Sequence, residues 1–133
     1  MRRDAREVVL KILFSELYVD YDEALFCELC EEFKLTEDEV DFAKDLLKII
    51  DENKAELDNV ISELAHNYKL ERVYPMDRCA LYLGLAEMTY RKDIPTVVAI
   101  DEALTLCRKY STKESLSFVN GIFAKYKTMI ENQ

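Results

Sequence analysis

Tryptophan is absent from these 133 residues, histidine occurs once, and glycine and proline occur twice each. So few turn-forming residues leave little room for tight hairpins, and no strand-like run is bounded by turn dipeptides. An all-helical fold is therefore expected. There is no phosphate-cradling glycine loop, no His-Glu-x-x-His and no nucleophile elbow, and the lone His66 has no acid paired with it in sequence. These absences argue against an enzyme, a small-molecule substrate and a cofactor, and leave His66 as a partly exposed helix-end residue. No apolar run reaches the roughly 20 residues that span a bilayer, so no membrane role is expected. The chain opens on arginines instead of the apolar core of a signal peptide, so its four cysteines read as free thiols of a reducing cytoplasm. Cys27-Glu-Leu-Cys30 has the spacing of half a zinc site, but no second close pair follows. Small, buried helix-face cysteines and no metal are the expectation.

What is present is an apolar centre. From Cys79 to Met88 hydrophobicity hardly pauses for a polar residue, and a helix apolar all the way round must be covered on all sides. The stretch from Pro75 to Phe123 is organised around it, and 133 residues suffice to cover it within one domain, residues 1–133.

The cover can be read in order. Ala5, Val8, Val9, Ile12, Leu13 and Leu17 recur at helical spacing and predict a first helix from about Asp4 to Tyr18. Leu25, Phe26, Leu29 and Phe33 predict a second, from about Glu23 to Phe33. Thr36-Glu-Asp-Glu39 is a capping box that opens a third. Its apolar steps continue to about Tyr68, as one long helix bent near Asp51 to Asn53. Lys69 to Met76 forms a connector ending at Pro75, and Asp77 charges the start of the central helix. Arg91-Lys-Asp-Ile-Pro95 turns into a helix that runs to about Lys109, and Ser111-Thr-Lys-Glu114 is a second candidate capping box before a final helix through Ile130. Gly121 inside that helix costs about 1 kcal/mol against alanine, which suggests a close packing contact.

A net charge of −9 argues against a nucleic-acid partner only as an average. Twelve of the 27 acids lie between Asp20 and Asp51, facing only Lys34, Lys44 and Lys48, so the remainder of the chain is neutral. Within it, Arg2, Arg3, Arg6 and Lys11 form a basic N-terminus, and further cations cluster at Arg91/Lys92 and Arg108/Lys109/Lys113. Arginines at a helix N-terminus oppose the helix dipole, which points either to an outside anion or to an ordinary solvated end.

Several linked motifs then carry a resemblance: Arg2-Arg-Asp-Ala-Arg-Glu7 before Val-Val-Leu-Lys-Ile-Leu-Phe14, Met76-Asp-Arg78, Asp93-Ile-Pro95, Ala99-Ile-Asp-Glu-Ala103, and Ser115 with Phe118-Val-Asn-Gly121. In this order and spacing the chain resembles the NusB family of transcription antitermination factors. The resemblance implies two three-helix groups and a non-enzymatic protein that pairs with NusE, a small-subunit ribosomal protein, and binds boxA RNA in the RNA polymerase elongation complex. It assigns RNA binding to Arg3, Arg6, Phe14, Glu114, Ser115 and Phe118, with Arg2 added by proximity. It assigns the NusE contact to Asp77, with Met76 and Arg78 beside it. Arginines suit phosphates and rings suit unpaired bases, while Glu114 can accept from base amino groups. Core packing is the competing reading of Phe14 and Phe118. Tyr110-Ser-Thr-Lys113 and Leu116-Ser117 depart from the family pattern, which leaves open a protein-only adaptor with a weak or absent RNA site.

Overall fold

The computed structural model describes residues 2–66 and 69–132. Seven α-helices carry them: α1 (Arg2–Glu16), α2 (Glu23–Glu32), α3 (Glu37–Glu52), α4 (Lys54–Leu64), α5 (Pro75–Tyr90), α6 (Thr96–Tyr110) and α7 (Lys113–Glu131), with one 3-10 turn at Leu70–Arg72. α1, α2 and α3 form the first three-helix group and α5, α6 and α7 the second, with α4 lying against α5 and α7.

The apolar run is the axis, as its composition requires. Every residue of α5 from Cys79 to Met88 is buried, and the helix packs against α1, α3, α4, α6 and α7. Local chemistry sets the ends of its neighbours. The Asp22 side chain accepts from the amides of Ala24 and Leu25 to start α2. α2 stops where Lys34 turns left-handed at φ 53°, so that the amides of Lys34 and Leu35 reach the carbonyls of Glu31 and Cys30. Thr36 and Glu39 form the expected capping box of α3.

Three expectations change. The third helix is broken, not bent: the Asn53 amide and its side-chain Nδ2 both turn back to carbonyls at the end of α3, and α4 starts afresh at Lys54. The expected end at Tyr68 lies outside the described residues. The cap of α7 sits one residue later than the pattern suggests, with Thr112 accepting from the Ser115 amide, while Ser111 is drawn elsewhere. Cys30, Cys79 and Cys107 are buried as small helix-face residues, but Cys27 is exposed. His66 is exposed just past the end of α4, with φ 54°.

The close packing contact expected at Gly121 belongs to the other glycine. A methyl added at Gly121 meets nothing within 4 Å, so no packing contact requires that glycine. At Gly84, in the middle of α5, a methyl would lie 2.6 Å from Phe123 Cε1 and 3.2 Å from Ala103 Cβ, and Phe123 is wholly buried. Gly84 therefore lets α7 and α6 approach the axis. Gly84→Ala should destabilise the fold by about 1–3 kcal/mol through overpacking. Gly121→Ala should stabilise it by roughly 0.5–1 kcal/mol. Urea unfolding of the two variants checks both signs.

Candidate nucleic-acid interface

α1 carries Arg3, Glu7, Lys11 and Phe14 at steps of four and three, which places them along one face, and Tyr18 follows in the turn after it. Arg3 is exposed and donates through Nε and Nη2 to the two oxygens of Glu102, each at 3.1 Å. Glu7 accepts from Lys109 Nζ at 2.7 Å and from the Tyr110 hydroxyl, both at the end of α6. Lys11 and Lys109 stand 5.1 and 5.4 Å from the centre of the Tyr110 ring. Phe14, half-buried, meets Tyr18 edge-on at 5.5 Å. Cations (Arg3, Lys11, Lys109) and rings (Tyr110, Phe14, Tyr18) thus share this face, with the Glu7 carboxylate between them.

Arg2 is exposed, 4.5 Å above the Phe42 ring and 3.8 Å from Asp93. Arg6 is placed quite differently. It is 4% exposed, its Nε donates to both oxygens of Glu87 at 3.0 and 2.9 Å, and its Nη2 donates at 2.6 Å. Glu87 is itself fully buried, so this guanidinium supports α1 from inside while Arg2 and Arg3 face solvent. Sequence reasoning missed the partner although its signal was there. Glu87 is the single charge within the apolar run, and a charge in a covered helix requires an opposite one. It also missed Lys109 and Tyr110, because nothing in the spacing brings the end of α6 beside α1.

The second group lies at the start of α7. Glu114 is exposed, Ser115 is buried and Phe118 is half-buried. All three line a groove of about 200 Å³ together with Arg72, Tyr74 and Asp77. Residues assigned by resemblance to RNA and to a protein partner therefore share one cavity. Asp77 is only 3% exposed; its Oδ1 accepts from Ser111 Oγ at 2.7 Å and from Cys107 Sγ at 4.0 Å. Met76 and Arg78 beside it are half-buried, and Arg78 donates from Nε to the Tyr82 hydroxyl at 2.6 Å. The two groups are joined by consecutive residues: Tyr110 holds α1 through Glu7, and Ser111 holds α5 through Asp77.

Glu7, Glu102 and Asp93 titrate low. Burial pushes the Glu7 carboxyl up, but the bonds from Lys109 and Tyr110 outweigh it and hold it below its usual value of 4.5. The Arg3 guanidinium lowers Glu102 likewise, and Arg91 brings Asp93 to about 2. Because the folded values lie below the unfolded ones, the unfolded chain binds more protons here, and this stabilisation is complete only above the unfolded value. Stability should therefore fall as pH drops from about 4.5 toward 2, and Glu7→Gln should flatten part of that fall. Thermal unfolding across this range measures it.

An all-helical bundle that presents a ribbon of cations and rings beside an acid-floored groove belongs to the class of helical nucleic-acid-binding proteins in form. The NusB family model matches residues 3–128, and the chain belongs to the NusB family. It is 36% identical over 125 residues to transcription antitermination protein NusB of Acetivibrio thermocellus, covering 93% of this chain and 86% of that protein. It is 38% identical over 125 residues to the NusB of Desulforudis audaxviator, covering 93% and 91%. Among solved structures it is similar to T. maritima NusB, with a TM-score of 0.85 and 35% identity over 94% of this chain and 89% of that one. It is also similar to a chain in a crystal structure of antitermination factors NusB and NusE in complex with dsRNA, with a TM-score of 0.84 and 27% identity over 96% of each chain.

Proposed function

We propose that this protein is a cytoplasmic, non-catalytic transcription antitermination factor, acting as one helical RNA-binding domain. It pairs with NusE and, with it, binds boxA-type single-stranded RNA of nascent transcripts, especially rRNA, in the RNA polymerase elongation complex. The observation that carries the reading is that cations and rings share one face of α1 and the end of α6, which suits a strand that offers both phosphates and unpaired bases. Membership of the NusB family supports it, as does the likeness to a NusB chain solved with NusE and RNA. Arg2 and Arg3 are the phosphate ligands, Phe14 and Phe118 the stacking rings, and Glu114 and Ser115 the polar contacts; Arg6 acts by holding α1 in place. Met76 and Arg78 meet NusE at the start of α5, above the buried Asp77.

One observation favours a second reading. Arg3, Arg6 and Lys109 are already paired with acids, as in a protein-only adaptor that keeps the NusE surface and binds RNA weakly or not at all. Gel-shift titration separates the two, using this protein, NusE and the equimolar mixture against a boxA single strand and its duplex. The mixture is expected to bind the single strand more tightly than either component alone. Equal affinity with and without NusE would sink the pairing, and salt-insensitive or absent binding would favour the adaptor.

A further inference from the structure

Helices α1 and α6 both pack against α5 and hardly meet along their own backbones. Charged side chains span the seam between them. Arg3 on α1 reaches Glu102 on α6, and Lys109 on α6 reaches Glu7 on α1. The two pairs run in opposite senses, and each occupies one cation of the surface described above. In both pairs the acid is covered and the cation is open. The side chains of Glu102 and Glu7 are 16% and 8% exposed, those of Arg3 and Lys109 53% and 58%.

A covered carboxylate that loses its partner is costly. Neither acid is left in that state when its cation departs, because each has a second partner that stays. Tyr110 donates to the same Glu7 Oε2 that Lys109 meets. Arg6 holds its Nη1 3.9 Å from Glu102 Oε2, while its Nε and Nη2 are fixed on Glu87. Arg3 and Lys109, on long side chains at the surface, can therefore turn to another anion without stranding the acids. A phosphate offers them what the carboxylates offer now: two oxygens for the Arg3 fork and a negative charge for the Lys109 ammonium.

We propose that Glu7 and Glu102 are internal competitors of the RNA: in the free protein they hold Lys109 and Arg3 in place of phosphates, and the strand binds by exchange, with Tyr110 and Arg6 keeping the two acids satisfied. The inference rests on the RNA-binding reading and adds to it a further phosphate ligand, Lys109, and two acids that set the affinity. Exchange also favours a chain over a single anion. An isolated phosphate must break a pair for one contact, whereas a strand that has displaced one acid meets the other at high effective concentration. The seam is thus closed in the free protein and opens only for a ligand that carries several phosphates.

The test titrates the NusE complex, by fluorescence anisotropy, with a boxA single strand and with a scrambled strand of equal length. Glu7→Gln and Glu102→Gln keep the shape and an acceptor oxygen but remove the charge. Each should tighten RNA binding by roughly twofold to fivefold, the range of one exposed ion pair that no longer has to break. The gain should be similar on both strands, because phosphate contacts carry no base information. Tyr110→Phe keeps the ring and removes the hydroxyl that stays with Glu7. It should weaken RNA binding when Glu7 is present and have no effect beside Glu7→Gln. NusE affinity, measured by calorimetry, should not change in any of these variants. Unchanged or weaker RNA binding in both glutamine variants overturns the competition and makes the acids supports that position Arg3 and Lys109. If the wild-type complex binds RNA in that case, the RNA reading stands without the exchange. If neither the wild-type complex nor the glutamine variants bind RNA, both fall.

Discussion

Glu87→Ala should destabilise the protein by about 3–5 kcal/mol, the largest loss expected from any single polar residue here, because it strands the Arg6 guanidinium without its partner inside the bundle. Three donor contacts at 2.6 to 3.0 Å join the two side chains, and neither can turn to water. The nearest alternative acceptor, Glu102, is 3.9 Å from Arg6 Nη1 and is already held by Arg3. Urea unfolding measures the loss. Replacing both members, as Arg6→Met with Glu87→Leu, should recover most of the stability, since a buried ion pair is often matched by apolar side chains of similar volume. The double variant also separates two roles for Arg6. If Arg6 only supports α1, RNA affinity returns with the fold; if it reaches a phosphate, the affinity stays low in a stable protein.

The second large effect is on RNA and should leave the fold alone. Arg2→Ala with Arg3→Ala removes the two arginines that face solvent at the start of α1. Each lost phosphate contact on a single strand takes about 0.7 from the slope of log affinity against log salt, so the pair should flatten it by roughly 1.4. The loss should be similar for every RNA sequence, because phosphate contacts carry no base information. Stability should change little. The Arg3 bonds to Glu102 and the Arg2 position over Phe42 are exposed, so solvent screens them and they add little to the fold. Filter binding at several salt concentrations, with urea unfolding as the control, checks both halves. An unchanged slope would remove these arginines from the interface.

These two predictions differ because neighbours on one helix end have opposite environments, which spacing alone did not reveal. Arg2, Arg3 and Arg6 read alike as a basic cluster. Arg3 and Arg6 are nearly one turn apart, but the face that carries Arg6 turns toward α5, where Glu87 waits. Gly121 was expected to mark a close packing contact, and the position of Phe123 gives that contact to Gly84 instead. Ser111 matched the first position of a capping box, yet Asp77 across the chain claims its hydroxyl and the cap passes to Thr112.

The sequence by itself determined the elements and their polarity. Scarce glycine and proline, apolar residues at steps of three and four, and local caps such as Thr36 with Glu39 are short-range properties, and they make helices whatever lies beyond. The run from Cys79 to Met88 determined that one helix would be covered on all sides. Tertiary structure alone decided which charges are available. It buried Arg6 on Glu87, left Arg3 outside, set Lys109 and Tyr110 beside Glu7, and brought Asp77 into one groove with Glu114 and Phe118. The physical reason is range. A helix forms from bonds four residues apart, whereas the fate of a charge depends on which group, often eighty or a hundred positions away, is packed against it.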